Sequence, residues 1–135
     1  MNLDEFISQF GEQRTHEFTI TESVYAAFQQ CSGDMNPLHV DGAYATSKGF
    51  SGRVMYGNIL NSFVSYFVGM CMPIPEVMLL KQDILYLQPL FLGDSVHMTV
   101  SIAESFPKFN MLEFKFSFKR DNTLVARGHF QIKLL

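Results

Sequence analysis

The chain has 135 residues, 47% hydrophobic and 17% charged, with a formal net charge of −3 at pH 7. That length fits one domain, residues 1–135, around one core. The acidic balance and the lack of a Lys/Arg cluster exclude the usual nucleic-acid footprint. The most apolar run, Phe63–Met72, is closed by Pro73 and Pro75 and is too short to cross a membrane.

Met1–Gln13 is acidic and lacks a basic stretch followed by an apolar one, so no signal peptide is read and a cytoplasmic location is expected. Residues 1–15 are expected to form a loosely attached segment. Glu17–Ile20 predicts a first strand. Thr21 suits an N-cap, with Glu22 in the first turn where it complements the helix dipole. The helix runs to about Cys31, with Val24, Ala27, Phe28 and Cys31 as its apolar stripe. Gly33 sits where a C-terminal glycine ends a helix. Asp41 is placed to cap a short helix, Gly42–Ser47, ended by Gly49. A connection over Phe50–Tyr56 leads to Gly57. From there to Met72 the chain is apolar on nearly every side, the pattern of a buried helix. Cys31 and Cys71 fit no metal or CxxC spacing and are expected to be reduced, mostly buried thiols.

The second half changes period. Val77–Gln88 predicts a long strand, and Pro89–Asp94 a turn containing Gly93. Val96, Met98, Val100 and Ile102 then alternate with polar residues. So do Leu112, Phe114, Phe116 and Phe118, and again Leu124, Ala126, Gly128, Phe130 and Ile132. This is period-two patterning over three consecutive strands, the last two joined at Asp121–Asn122. Such strands bury one face and solvate the other. The expected architecture is an α+β domain, a curved antiparallel sheet wrapped around one long buried helix. His16, His97 and His129 read as structural or solvent-facing, and Asp94 as part of its turn.

The stretch Ser32–His39, S-G-D-M-N-P-L-H, organises the chemistry. It sets a carboxylate, Asp34, and an imidazole, His39, on one loop whose backbone Gly33 and Pro37 restrict. Two ionisable groups held in fixed relation suit acid–base work on a bound substrate.

The run from Phe28 to His39, F-x-x-x-S-G-D-x-N-P-L-H, resembles the signature of the MaoC-like dehydratases and (R)-specific enoyl-CoA hydratases, which have the hot-dog fold. Gly52–Leu60 (G-R-V-M-Y-G-N-I-L) resembles the family's opening of the central helix, and Pro89–Asp94 (P-L-F-L-G-D) its turn after the long strand. The resemblance runs from about residue 16 to the end. It implies that Asp34 and His39 are the catalytic pair that activates the water added to an enoyl thioester. It implies that the Gly57 N–H binds the thioester oxygen, that Ser65 supports the site, and that Asn36 braces the loop. Tyr56 departs from the family, which usually has His before the glycine; it is read as pocket wall. The helix start fits this reading, since unpaired N–H groups and a positive dipole end favour an oxyanion.

The expected substrate is a 2-enoyl or (R)-3-hydroxyacyl thioester of CoA or acyl carrier protein, with no metal or bound redox cofactor. A homodimer is expected, because the resemblance implies pairing and an apolar sheet with exposed edges favours it. Two other functions use the same fold. One is a thioesterase, which the Asp34 loop disfavours; the other is a non-catalytic acyl-thioester-binding subunit, which the intact Asp34/His39 pair disfavours.

Overall fold

A computed structural model describes all residues, Met1–Leu135. The helices are α1 (Leu3–Phe10), α2 (Glu22–Ser32), α3 (Pro37–Val40), α4 (Gly42–Ser47) and α5 (Ile59–Met70). The strands are β1 (Arg14–Thr19), β2 (Val77–Tyr86), β3 (Ser95–Phe106), β4 (Met111–Arg120) and β5 (Thr123–Leu134). The strands form one antiparallel sheet in the order β1-β3-β4-β5-β2. The α+β hot-dog architecture expected from the sequence is the one observed.

Period-two patterning decides the sheet's faces. Val96, Met98 and Val100 of β3, Leu112, Phe114, Phe116 and Phe118 of β4, and Phe130 and Ile132 of β5 are buried against Phe63, Val64, Phe67 and Val68 of α5. Burying a large apolar side chain contributes about 1.5–3 kcal/mol, so this layer is the main stabilising term. Asp121 and Asn122, with φ of 48° and 65°, make the two-residue hairpin between β4 and β5. Gly128 is required where β5 meets β2. A Cβ there would lie 2.0 Å from the Asp83 carbonyl oxygen.

Four expectations need correction. Residues 1–15 are not loosely attached. Asn2 and Glu5 close a reciprocal capping box at the start of α1, and Leu3, Phe6 and Phe10 are buried in the core. Phe10 packs edge-on against Phe114 at 5.1 Å. Arg14 then donates to the carbonyls of Gln9, Phe10 and Cys71, tying the C-terminal ends of α1 and α5 together.

The second correction concerns α2, whose stripe is narrower than expected. Tyr25 is buried and Val24 and Phe28 are half-buried, while Ala27 and Cys31 face solvent. Cys31 is therefore an exposed thiol and Cys71 a half-buried one, in place of two mostly buried thiols. The fourth correction concerns α5, which is not covered all round. The sheet packs on one side of it only, and Ser65, Tyr66, Gly69 and Met70 are exposed. No helix is long and apolar enough to cross a membrane.

Candidate active site

The site is built from three segments: the end of α2 with the loop into α3, the connection before α5, and the end of β2. Gly33, at φ 69°, ends α2 in the left-handed conformation that only glycine adopts freely. The Asp34 Oδ1 then accepts the Asn36 N–H at 2.9 Å, and the Asn36 Oδ1 accepts the Leu38 N–H at 3.0 Å, with Pro37 opening α3. These short-range bonds leave Asp34 Oδ2 as the free carboxylate oxygen. The Asn36 side chain is the N-cap of α3.

His39 is fixed by the chain 15 residues later. Its Nδ1 lies 2.7 Å from the Val54 carbonyl oxygen, which only accepts, so Nδ1 carries a proton. The Val54 N–H in turn donates to the Leu38 carbonyl at 3.0 Å, so the two segments are laced in both directions. His39 Nε2 is left facing Asp34 Oδ2 at 3.9 Å. That gap is too long for a direct hydrogen bond. A water about 2.8 Å from each atom fits between them. The imidazole is 18% exposed and the carboxylate 43%, so the pair opens to a ligand.

Tyr56 is buried and lines the cleft. Its hydroxyl donates to the Asp34 carbonyl at 2.6 Å, and its ring packs on His39 at 4.3 Å. It is more than a wall, because it holds the backbone of one catalytic candidate and the ring of the other. Tyr25 donates to the carbonyls of both His39 and Val54. Burial raises its pKa above the ordinary tyrosine value; Tyr56 and the Asp34 charge add to this, and Arg53 opposes it. Sequence reasoning missed Tyr25, although its spacing puts it one turn before Phe28 on the same helix face.

Asp34, His39, Phe28, Tyr56, Gly57, Asn58 and Tyr86 line one cleft of about 300 Å³. The start of α5 therefore lies with the Asp34/His39 pair. Tyr56 C=O accepts the Ile59 N–H at 3.0 Å and Gly57 C=O the Leu60 N–H at 3.1 Å, a tight first turn. Neither the Gly57 nor the Asn58 N–H has a partner in the chain. A side-chain oxygen caps each of the other helices, from Asn2, Thr21, Asn36 and Asp41, but no side chain caps α5.

The Asn58 side chain is turned elsewhere. It accepts from Asn61 at 2.8 Å and from the Tyr86 hydroxyl at 3.1 Å, and Gln82 donates to Asn61. The Tyr86 ring stands over Gly57, 3.1 Å from where a Cβ would be, so any larger residue must push the ring aside. Tyr86 was not singled out in the sequence, because its partner lies a strand away. Two predicted site residues do not line the cleft: Asn36, which lies in the loop behind Asp34, and Ser65, on the exposed face of α5.

Residues 6–117 match the family model described as MaoC like domain, and the chain belongs to that family. It is 28% identical over 121 residues to an (R)-specific enoyl-CoA hydratase of Rhodospirillum rubrum, covering 85% of this chain and 84% of the relative. It is 35% identical over 77 residues to an (R)-specific enoyl-CoA hydratase of Aeromonas caviae, covering 57% of this chain and 58% of the relative. The solved structure of an (R)-hydratase from A. caviae involved in PHA biosynthesis superposes with a TM-score of 0.85 at 25% identity, covering 93% of this chain and 96% of that one.

Proposed function

We propose that this protein is an (R)-specific hydratase/dehydratase that interconverts trans-2-enoyl and (R)-3-hydroxyacyl thioesters. The observation that carries the reading is the meeting, in one cleft, of the Asp34/His39 pair and an uncapped helix start. The thioester oxygen accepts the free Gly57 and Asn58 N–H groups. These donors, aimed by the helix, stabilise the negative charge that develops as the enolate forms. Water held between Asp34 Oδ2 and His39 Nε2 adds its oxygen to C3. The pair takes one proton from that water and returns one to C2, so the atoms of water are added and no electrons are exchanged. Dehydration runs the same steps backwards.

The relatives' names favour CoA as the carrier, and acyl carrier protein offers the same thioester. Ser65, on the exposed face of α5, supports the site only from an assembly that covers that face. A homodimer fits this. β2 ends the sheet with an unpaired edge, and Leu79, Leu80, Leu85, Tyr86 and Leu87 are 40–49% exposed along and beyond it.

The test is an assay with crotonyl-CoA, following loss of the enoyl-thioester absorbance and, separately, release of free thiol. Loss of absorbance without thiol release, abolished in Asp34→Asn, is the expected result. Thiol release would point to a thioesterase. Tight binding without turnover, across short and long chains, would point to a binding subunit.

A further inference from the structure

A second hollow, of about 620 Å³, lies on the opposite face of the sheet, turned away from α5. Strand register explains it. Ser101, Lys115, His129 and Asp83 stand opposite one another across β3, β4, β5 and β2. Thr99, Ser117, Arg127 and Leu85 form the next row. These positions alternate with buried Val100, Phe116 and Gly128, so both rows face outward. Thr99, Ser101 and Ser117 line the hollow together with the longer Lys115 and Arg127.

The charges in this hollow are not balanced. Lys115 and Arg127 sit diagonally across one strand pair, close enough for one small ligand to touch both. The acidic side chains within 4.0 Å of a basic one are Asp34 (His39), Glu17 (His97), Asp94 (Arg120) and Asp83 (His129), the histidines being ionic partners only when protonated, so neither Lys115 nor Arg127 has an acidic partner. Asp83, the carboxylate of the hollow, is already engaged. It accepts the His129 N–H at 3.1 Å and faces the His129 Nδ1 at 3.6 Å. Two uncompensated cations thus converge with three hydroxyls, on a chain whose net charge is −3.

We propose that this hollow is a binding site for a phosphate monoester. A guanidinium grips two phosphate oxygens at once, an ammonium adds a point charge, and hydroxyls from Thr99, Ser101 and Ser117 donate to the remaining oxygen. A dianion compensates both cations, which a single carboxylate does not. The site shares no residue with the Asp34/His39 cleft, so it stands whether or not the hydratase reading holds.

The experiment is a titration of the full ¹⁵N-labelled chain with glycerol 3-phosphate, against sodium chloride at matched ionic strength. The expected result is a saturable set of amide shifts centred on Thr99, Ser117 and Arg127. Affinity falls about tenfold in Arg127→Ala and in Lys115→Ala, and less in Arg127→Lys. Both residues are exposed, so the variants keep the wild-type melting temperature. Shifts that are linear, reproduced by chloride, centred elsewhere or unchanged in the double variant overturn the proposal. Flotation with phosphatidylcholine vesicles, with and without phosphatidic acid, separates the sources. Flotation that needs phosphatidic acid and Arg127 assigns the phosphate to a lipid headgroup. Saturable titration without flotation assigns it to a soluble molecule.

Discussion

At its C-terminal end α5 is closed by protein. The Cys71 N–H donates to the Phe67 carbonyl, and the Cys71 carbonyl accepts from Arg14 at 2.6 Å. The same guanidinium holds Gln9 and Phe10, so one cation serves the ends of two helices. At its N-terminal end α5 has no side-chain cap, and Gly57 and Asn58, whose N–H groups have no partner in the chain, line a cleft. A capping side chain is worth about 1 kcal/mol, and the other helices of this chain have one. The comparison teaches that this helix is satisfied where it is anchored and left uncapped at the end that borders the Asp34/His39 cleft.

The largest expected effect comes from deleting the open end's donor. Gly57→Pro removes that N–H at a position where proline suits the first turn of a helix. Turnover of crotonyl-CoA per folded molecule should fall about 10²–10³-fold, with a lower melting temperature because the proline ring meets Tyr86. Gly57→Ala keeps the donor but pushes a methyl against the Tyr86 ring, so a smaller loss is expected. Activity of Gly57→Pro within a few-fold of wild type would remove this helix start from the mechanism.

Arg14→Ala tests the closed end. Three carbonyls lose a charged donor, at a cost of about 2–3 kcal/mol in denaturant unfolding. Turnover per folded molecule should not change; a matching fall would mean that the two ends are coupled.

Tyr25→Phe removes the hydroxyl that braces the His39 and Val54 carbonyls, for about 1 kcal/mol. The fold favours the neutral phenol, so this contribution is complete below the ordinary pKa of about 10 and is lost as pH rises through the higher folded value. Burial also raises the Tyr86 pKa, so the alkaline limb of wild-type stability should weaken in Tyr25→Phe, with one of two late-titrating tyrosines missing from an absorbance titration. The smallest effect is expected from Tyr86→Phe. It loses the hydroxyl's hydrogen bonds to Asn58 and from Asn61 but keeps the ring over Gly57, so turnover should stay within about twofold.

Much of the local structure was legible. Thr21, Gly33 and Asp41 act at the helix ends assigned to them, because caps are bonds between residues two to four apart. The Asp34 loop was legible for the same reason. α1 was not, although Leu3, Phe6 and Phe10 have helical spacing. What holds it, Phe114 and Arg14, lies outside the segment. The breadth of the α2 stripe was overread, because helical spacing marks a face but not how deeply a neighbour covers it.

The sequence by itself determined the antiparallel sheet, its buried face, the central helix and the Asp34–His39 loop, through side-chain period and turn chemistry. Only the tertiary structure decided that the Val54 carbonyl orients the His39 ring, that Tyr56 clamps Asp34, and that the open start of α5 shares their cleft. Those contacts join residues 15 and 22 positions apart. Their geometry follows from how strands register and helices pack, and no local pattern encodes that.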